Sequence, residues 1–207
     1  MLEIKTFVFG PFETNCYVLS DDNGHILLVD PACAYEWEQQ ELMAYISNHQ
    51  SSNTSHQLSL IATHGHLDHL WGAKWASETW QTPVLMHPDD IPMAQAMQQQ
   101  YDLFGIRTRP KPFDIQPLNP KSSILNHQFS IINTPGHTPG SVCLYWPDDK
   151  VLLSGDTLFR MGYGRTDLPG GNSLQLIDSL EKLFTLPSDV RVYPGHGDFT
   201  TIGAEKR

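Results

Sequence analysis

The segment Thr63-His64-Gly65-His66-Leu67-Asp68-His69 places four side chains able to bind a metal ion within six residues. A packed core does not take such groups singly, because buried imidazoles and carboxylates need partners. On an ordinary surface they would be diluted among Lys, Ser and Gln. The chain must therefore carry them to a loop where they converge, with Gly65 expected to let the backbone turn so that two imidazoles face one point. The i, i+2 alternation differs from the helical i, i+4 pair of H-E-x-x-H. The plainer alternative is a solvated loop, or a helix cap with Asp68 near the N-terminus.

The hydrophobic pattern around this cluster predicts short strands alternating with helices. Residues 16–19 and 25–29 flank the turn Asp21-Asp22-Asn23-Gly24 and read as a hairpin ended by Asp30-Pro31. An amphipathic helix is expected over 34–49, with Trp37, Leu42, Met43 and Ile46 inward. A polar loop follows at 51–55, then a buried strand at 58–62, a helix over 68–80 and a strand at 83–86. A helix is expected at 92–103 and a Pro-rich loop at 108–120. Strands return at 129–132, 142–146 and 151–154, the last two joined by the turn signal Asp148-Asp149. A helix over 173–184, with Leu174, Ile177, Leu180 and Leu183 inward, precedes a last strand at 190–193. Trp71 and Trp75, at helical spacing, are expected in the core.

Four of these apolar runs stop just short of a polar residue of interest: Ala62 before His64, Ile132 before His137, Ser154 before Asp156 and Tyr193 before His196. Loops at the ends of packed strands are where functional groups usually sit. His137 stands in Thr134-Pro135-Gly136-His137-Thr138-Pro139-Gly140, Asp156 in Ser154-Gly155-Asp156-Thr157, and His196 in Pro194-Gly195-His196-Gly197. Each alone is weak, since most loop histidines do nothing and an Asp after Gly commonly serves a turn. Together with the first cluster they supply five imidazoles and two carboxylates without a cysteine. A mixed nitrogen and oxygen set of that kind suits two borderline divalent ions, zinc first and iron or manganese next. His25, His49, His56, His87 and His127 lie in ordinary polar or turn-like sequence.

Composition narrows the field further. The 207 residues carry 13 Lys and Arg against 23 Asp and Glu, a formal charge of −10. That balance argues against a nucleic-acid partner, which needs basic patches. No apolar run approaches the ~20 residues of a membrane span, and the first residues lack the pattern of a signal peptide. Cys16, Cys33 and Cys143 form no C-x-x-C pair and leave an odd thiol, so no disulfide framework is expected. Cys16 and Cys143 fall in β-like runs and read as buried small apolar residues. The expectation is one cytoplasmic globular domain over residues 1–207, with no membrane partner and an oligomeric state left open.

THGHLDH, TPGHTPGS, SGDTLF and YPGHG, in this order and spacing, resemble the signature of the metallo-β-lactamase superfamily. Within it, GPFETNCYVL and GRTDLPGG resemble the glyoxalase II-like (hydroxyacylglutathione hydrolase-like) branch. The resemblance implies an α/β fold, a four-layer αββα sandwich with a binuclear site at one edge. It further implies that His64, His66 and His137 hold one metal, that Asp68, His69 and His196 hold the other, and that Asp156 bridges them. Asp68 and Asp156 would be the catalytic carboxylates. Arg165 stands where that branch has a basic substrate-binding residue, the other reading being a salt bridge to Asp167, and Tyr163 beside it is a candidate for the same pocket. Asp167 stands where the two-domain enzymes of the branch have Tyr. The chain also runs only eleven residues past His196, where those enzymes have a helical domain that contacts glutathione.

The chemistry this implies is hydrolysis of a small acyl-thiol, S-D-lactoylglutathione or a relative. Coordination brings the pKa of a water from 15.7 toward ~7, and a thiolate leaving group, of pKa ~8.5 as the thiol, needs no general acid. An iron-dependent persulfide dioxygenase is the alternative, with iron on His64, His137 and Asp156. A lactonase or phosphodiesterase would share the ligands, and a metal-binding module without turnover is the non-enzymatic alternative.

Overall fold

A computed structural model of the chain describes residues 2–49, 58–119 and 129–206. One mixed sheet has the order β1 (Glu3–Phe9), β2 (Thr14–Ser20), β3 (Ile26–Val29), β4 (Leu58–Ile61), β5 (Val84–Met86) and β6 (Ile115–Pro117). Its first three strands are antiparallel neighbours, and β3 through β6 run parallel. The second sheet is built from β7 (Ser130–Asn133), β8 (Val142–Trp146) and β9 (Val151–Gly155). After a small hairpin of β10 (Leu158–Phe159) and β11 (Gly162–Tyr163), it is completed by β12 (Arg191–Pro194) and β13 (Thr200–Thr201). Its order is β13-β12-β9-β8-β7.

The period-two alternation of side chains assigns each strand residue to a layer. In β2 and β3, Tyr17, Leu19, Leu27 and Val29 meet Val142, Leu144, Trp146, Val151 and Leu153 of the opposing sheet. The intervening residues Cys16, Val18, Ile26 and Leu28 face away, onto α1 (Glu36–His49) and α2 (Ala73–Trp80) through Leu42, Ile46, Ala73 and Ala76. On the far side, Cys143 and Leu152 pack with Leu176, Leu180 and Leu183 of α5 (Ser173–Leu183). These three apolar seams hold the four layers of an αββα sandwich. Strands buried on both faces also explain why β3 and β4 read as continuous apolar runs. The chain further forms α3 (Ile91–Gln95), α4 (Met97–Leu103) and α6 (Ile202–Glu205). No helix among the described residues is long and apolar enough to cross a membrane.

Several elements differ from expectation, each for a local reason. In α1, Leu42 and Ile46 are buried as expected, but Trp37 and Met43 are exposed and Glu38 is buried instead. The Glu38 carboxylate accepts from the backbone N–H groups of Gly10 (2.8 Å), Ala34 (2.6 Å) and Tyr35 (3.0 Å), which fixes the inward face as 38, 42, 46. In α5, Leu180 and Leu183 point inward with Leu176 and Ser179, while Leu174 and Ile177 face solvent. The Ser179 hydroxyl donates to the Pro135 carbonyl (2.7 Å), so a polar residue occupies the inner stripe. The helix expected over 68–80 is a single 3₁₀ turn, Leu67–His69, followed by α2. Between them the Gly72 N–H donates to the Pro31 carbonyl (2.8 Å). The stretch 92–103 breaks at Ala96 into α3 and α4, and the Pro-rich loop contains β6. Strand β1 had no expected counterpart, because its first half carries exposed Glu3, Lys5 and Thr6 on both faces and breaks the alternation. Trp71 and Trp75 are only partly buried at the edge of the core. The loop expected at 51–55 lies outside the described residues. Cys16, Cys33 and Cys143 are buried free thiols.

Candidate metal centre

The functional residues gather at one edge of the sandwich because strands from both sheets end there. His64 and His66 follow β4, His137 follows β7, Asp156 follows β9 and His196 follows β12, while Asp68 and His69 lie on the 3₁₀ turn. Three donor groups result: His64, His66 and His137; His64, His69 and Asp156; and Asp68, His69 and His196. Within each group one donor atom of every residue lies within 4.8 Å of the others. All seven residues predicted as ligands are thus brought together. Such a set can hold one or two divalent ions.

The fit to a cation is visible in the polar atoms left over. Among the described residues, four buried side-chain polar atoms have no hydrogen-bond partner, and three of them are His64 Nε2, His69 Nε2 and Asp156 Oδ1. Native interiors rarely leave such atoms unpaired. Here they belong to one donor group.

Four of the five imidazoles are held by their other nitrogen, so their orientation is set before any ion arrives. His64 Nδ1 lies 3.1 Å from Thr63 Oγ1, and His69 Nδ1 lies 2.9 Å from Asp30 Oδ2. His137 Nδ1 donates to the Arg165 carbonyl (2.7 Å), and His196 Nδ1 donates to the Phe12 carbonyl (3.0 Å). In these four the Nε2 atom is left for the centre. His66 is reversed, with Nδ1 only 2.9 Å from His137 Nε2.

Electrostatics divides the cluster into two kinds of site. Burial, then the adjoining imidazoles, pushes His64 well below the ordinary histidine range. Burial and His137 push His66 down to about 4. Burial also opposes a charge on His69, but Asp68, Asp156 and Asp30 around it outweigh that and hold it protonated. The same pairing keeps the Asp68 and Asp156 carboxylates below their usual range against the cost of their own burial. In the metal-free chain the proton on His69 therefore offsets the carboxylates, a part that a bound cation would take.

Four supporting residues carry no clear signal in the sequence. Asp30, which looked like a strand terminator, is buried in a left-handed conformation (φ 53°). It accepts from Thr63 N (2.7 Å) and Thr63 Oγ1 (2.8 Å) besides holding His69. Asp90, fully buried, accepts from Gly65 N (2.7 Å), Thr138 Oγ1 (2.6 Å) and Gly140 N (2.6 Å), tying the His64–His66 loop to the loop of His137. Gly140 is small because a Cβ there would sit 2.7 Å from Asp90. Gly65 has no left-handed φ, so its role is proximity to Asp90 rather than the expected turn. Thr14 donates to Asp68 Oδ2 (2.8 Å), and Asn15 donates to the carbonyls of Pro194 and Gly197 (2.9 Å each), clamping the His196 loop. The Asp-Pro and Asp-Asp pairs were the only local signals for Asp30 and Asp90, and such pairs are common in turns.

The centre opens onto a cleft of about 190 Å³ lined by Phe12, Leu67, Phe104, Arg165 and Leu168 in addition to donor residues. Arg165 reaches this cleft, but its guanidinium is forked onto Asp167, Nε and Nη2 each 2.7 Å from a carboxylate oxygen. Tyr163 is exposed and lines a separate cavity with Leu158 and Phe184.

Residues 9–196 match the metallo-beta-lactamase superfamily. Hydroxyacylglutathione hydrolase GloC of Haemophilus influenzae is 32% identical, the match spanning 100% of this chain and 96% of that protein. Two solved structures superpose with a TM-score of 0.84. TTHA1623 in a di-iron-bound form is 32% identical over 98% of this chain and 97% of that one. The BLEG-1 B3 metallo-beta-lactamase is 33% identical over 98% and 96%. ETHE1 from Myxococcus xanthus superposes with a TM-score of 0.74, at 25% identity over 99% and 82%.

Proposed function

This chain belongs to the metallo-beta-lactamase superfamily, and from that premise we propose that it is a metal-dependent hydrolase that cleaves acyl-thiols. The observation that carries the proposal is the linking of three donor groups through His64 and His69, with His64 Nε2, His69 Nε2 and Asp156 Oδ1 buried and without a hydrogen-bond partner. His64, His66 and His137 would hold one ion, Asp68, His69 and His196 the other, and Asp156 would be shared. Bound ions would supply a water of lowered pKa and polarise a carbonyl. Zinc and iron both suit these donors, and the di-iron form of TTHA1623 gives iron equal standing.

The chain's own groups fit a thioester. Asp68, kept ionised by His69 and His196 and steadied by the Thr14 hydroxyl, is able to orient a water and take its proton. Outside the donor set, Arg165 is the only ionisable residue lining the cleft among those described. No general acid stands ready for a poor leaving group, and a thiolate needs none. The likeness to GloC supports the same reaction class.

A second reading is an iron-dependent persulfide dioxygenase, with one iron on His64, His137 and Asp156. The likeness to ETHE1 and the iron in TTHA1623 favour it. The deciding experiment loads the protein with zinc or with iron and measures thiol release from S-D-lactoylglutathione and other acyl-thiols, beside O₂ uptake with glutathione persulfide. Thiol release lost in Asp68→Ala is the expected result. O₂ uptake with iron, without thioester cleavage, would establish the second reading and overturn the first.

A further inference from the structure

Beside the metal cleft lies a second cavity of about 340 Å³, between α3–α4 and the loop 168–170. The two share His66, Gln100, Phe104 and Leu168 in their walls, so the second cavity adjoins the donor cluster. Its lining is dominated by Pro92, Met93, Ala96, Phe104, Leu168 and Pro169, and His66 at its inner end is the only ionisable residue among the described ones that line it. Gln100 adds no free polar group. Its Oε1 accepts from Leu67 N (2.9 Å), and its Nε2 donates to the carbonyls of Gly65 (2.9 Å) and Met93 (3.2 Å). Its amide braces the His64–His66 loop against α3. The rim carries the exposed Gln99 amide beside apolar Leu103 and Phe104, the latter packed edge-on against Phe12. An apolar groove running out of a polar reactive centre has the makeup of a small-molecule subsite.

The charges of the site point the same way. A thiol bearing several carboxylates would need cations in these walls, and Arg165, the one Lys or Arg among the described residues lining them, already serves Asp167. Common cellular thiols are themselves polar, so the apolar limb of a thioester is its acyl chain. Resting on the acyl-thiol reading above, we propose that this groove seats an unbranched hydrocarbon chain attached to the scissile carbonyl. The favoured substrates are then medium-chain acyl-thiols rather than short hydroxyacyl ones. In their hydrolysis water adds its oxygen to the carbonyl carbon. The C–S bond breaks with its electron pair on sulfur, and the proton lost by water passes through Asp68 to solvent.

The test is a series of acetyl, butanoyl, hexanoyl and octanoyl thioesters of one neutral thiol, N-acetylcysteamine, with the metal-loaded protein. A chain half covered by the groove should raise kcat/KM about twofold per methylene, on the order of tenfold from butanoyl to octanoyl. Ala96→Phe, which fills the groove, and Leu168→Gln, on its half-buried wall, should each bring the octanoyl-to-acetyl ratio toward one. Calorimetric binding of octanoate against butanoate reads the groove without turnover, with octanoate expected to bind about tenfold tighter. A flat thioester series, or equal affinity for the two acids, would overturn the groove assignment while leaving the hydrolase reading intact. Tighter octanoate binding without cleavage of any thioester would sink the hydrolase reading and keep the groove as an apolar subsite.

Discussion

Asp90→Ala separates the scaffold of the metal centre from its ligands. Asp90 is fully buried and belongs to none of the donor groups, yet it accepts three hydrogen bonds that join the loops of His64–His66 and His137. Hydrogen bonds to a charged group contribute roughly 1.5–3 kcal/mol each, and a buried donor left unpaired costs about 1–3 kcal/mol. The alanine variant strands the N–H groups of Gly65 and Gly140, whereas the Thr138 hydroxyl keeps Ser141 Oγ at 2.7 Å. The two stranded donors, at about 1–3 kcal/mol each, by themselves place the destabilisation at about 4 kcal/mol. For a chain of 207 residues that lowers Tm by about 8–16 °C. Asp90→Asn keeps the shape but turns a donor toward one of these partners, and should cost about half as much. The assay is thermal denaturation of the metal-free protein followed by metal titration. Metal affinity should fall about 10–100-fold, as for other supporting residues of metal sites. A change in Tm below 2 °C for Asp90→Ala would refute the reasoning, because water would then be replacing the carboxylate at no cost.

The other predictions concern the centre and its rim. Asp156→Ala should lose both ions and Asp68→Ala mainly one, measured as metal per chain; equal content in wild type and both variants would break the ligand assignment. In Gly195→Ala the new Cβ would overlap Asp156 Oδ1 and sit 2.8 Å from His69 Cε1, so metal content should drop with little change in circular dichroism. Arg165→Ala should retain its metal, because His137 is held by the backbone carbonyl of that residue. A surface fork is worth little, so KM for S-D-lactoylglutathione should hardly move; a tenfold rise would return Arg165 to substrate binding. His66, lowered from 6.5 to about 4 in the folded chain, binds more protons unfolded. Its contribution is therefore complete above pH 6.5 and falls away by roughly 3 kcal/mol as the pH drops to 4. Metal-free His66→Gln should lose correspondingly less Tm than wild type over that window, and parallel curves would contradict the assignment.

The local pattern of the chain was enough to predict most strands of the two sheets and to pick out the seven residues that the fold gathers at one edge. Apolar runs ending at His64, His137, Asp156 and His196 are legible because strand burial and loop chemistry are both written in short contiguous stretches. The inward faces of α1 and α5 were not legible. Glu38 and Ser179 turn inward only because particular backbone groups, those of Gly10, Ala34, Tyr35 and Pro135, wait there for a partner. The break in the expected helix at 68–80 likewise depends on the Pro31 carbonyl meeting Gly72.

The sequence by itself determined the layered α/β character and the chemical type of the centre, since both follow from residue identity at short spacing. Only the tertiary structure decided that Asp30 and Asp90 support the centre, that Arg165 is engaged by Asp167, and that Tyr163 faces another cavity. It alone brought α3, α4 and the loop at 168–170 together into an apolar groove beside the donors. The physical reason is sequence distance. Asp90 meets Gly140 across fifty residues and Asp30 meets His69 across thirty-nine, and no local rule reports a contact that exists only once both sheets have packed.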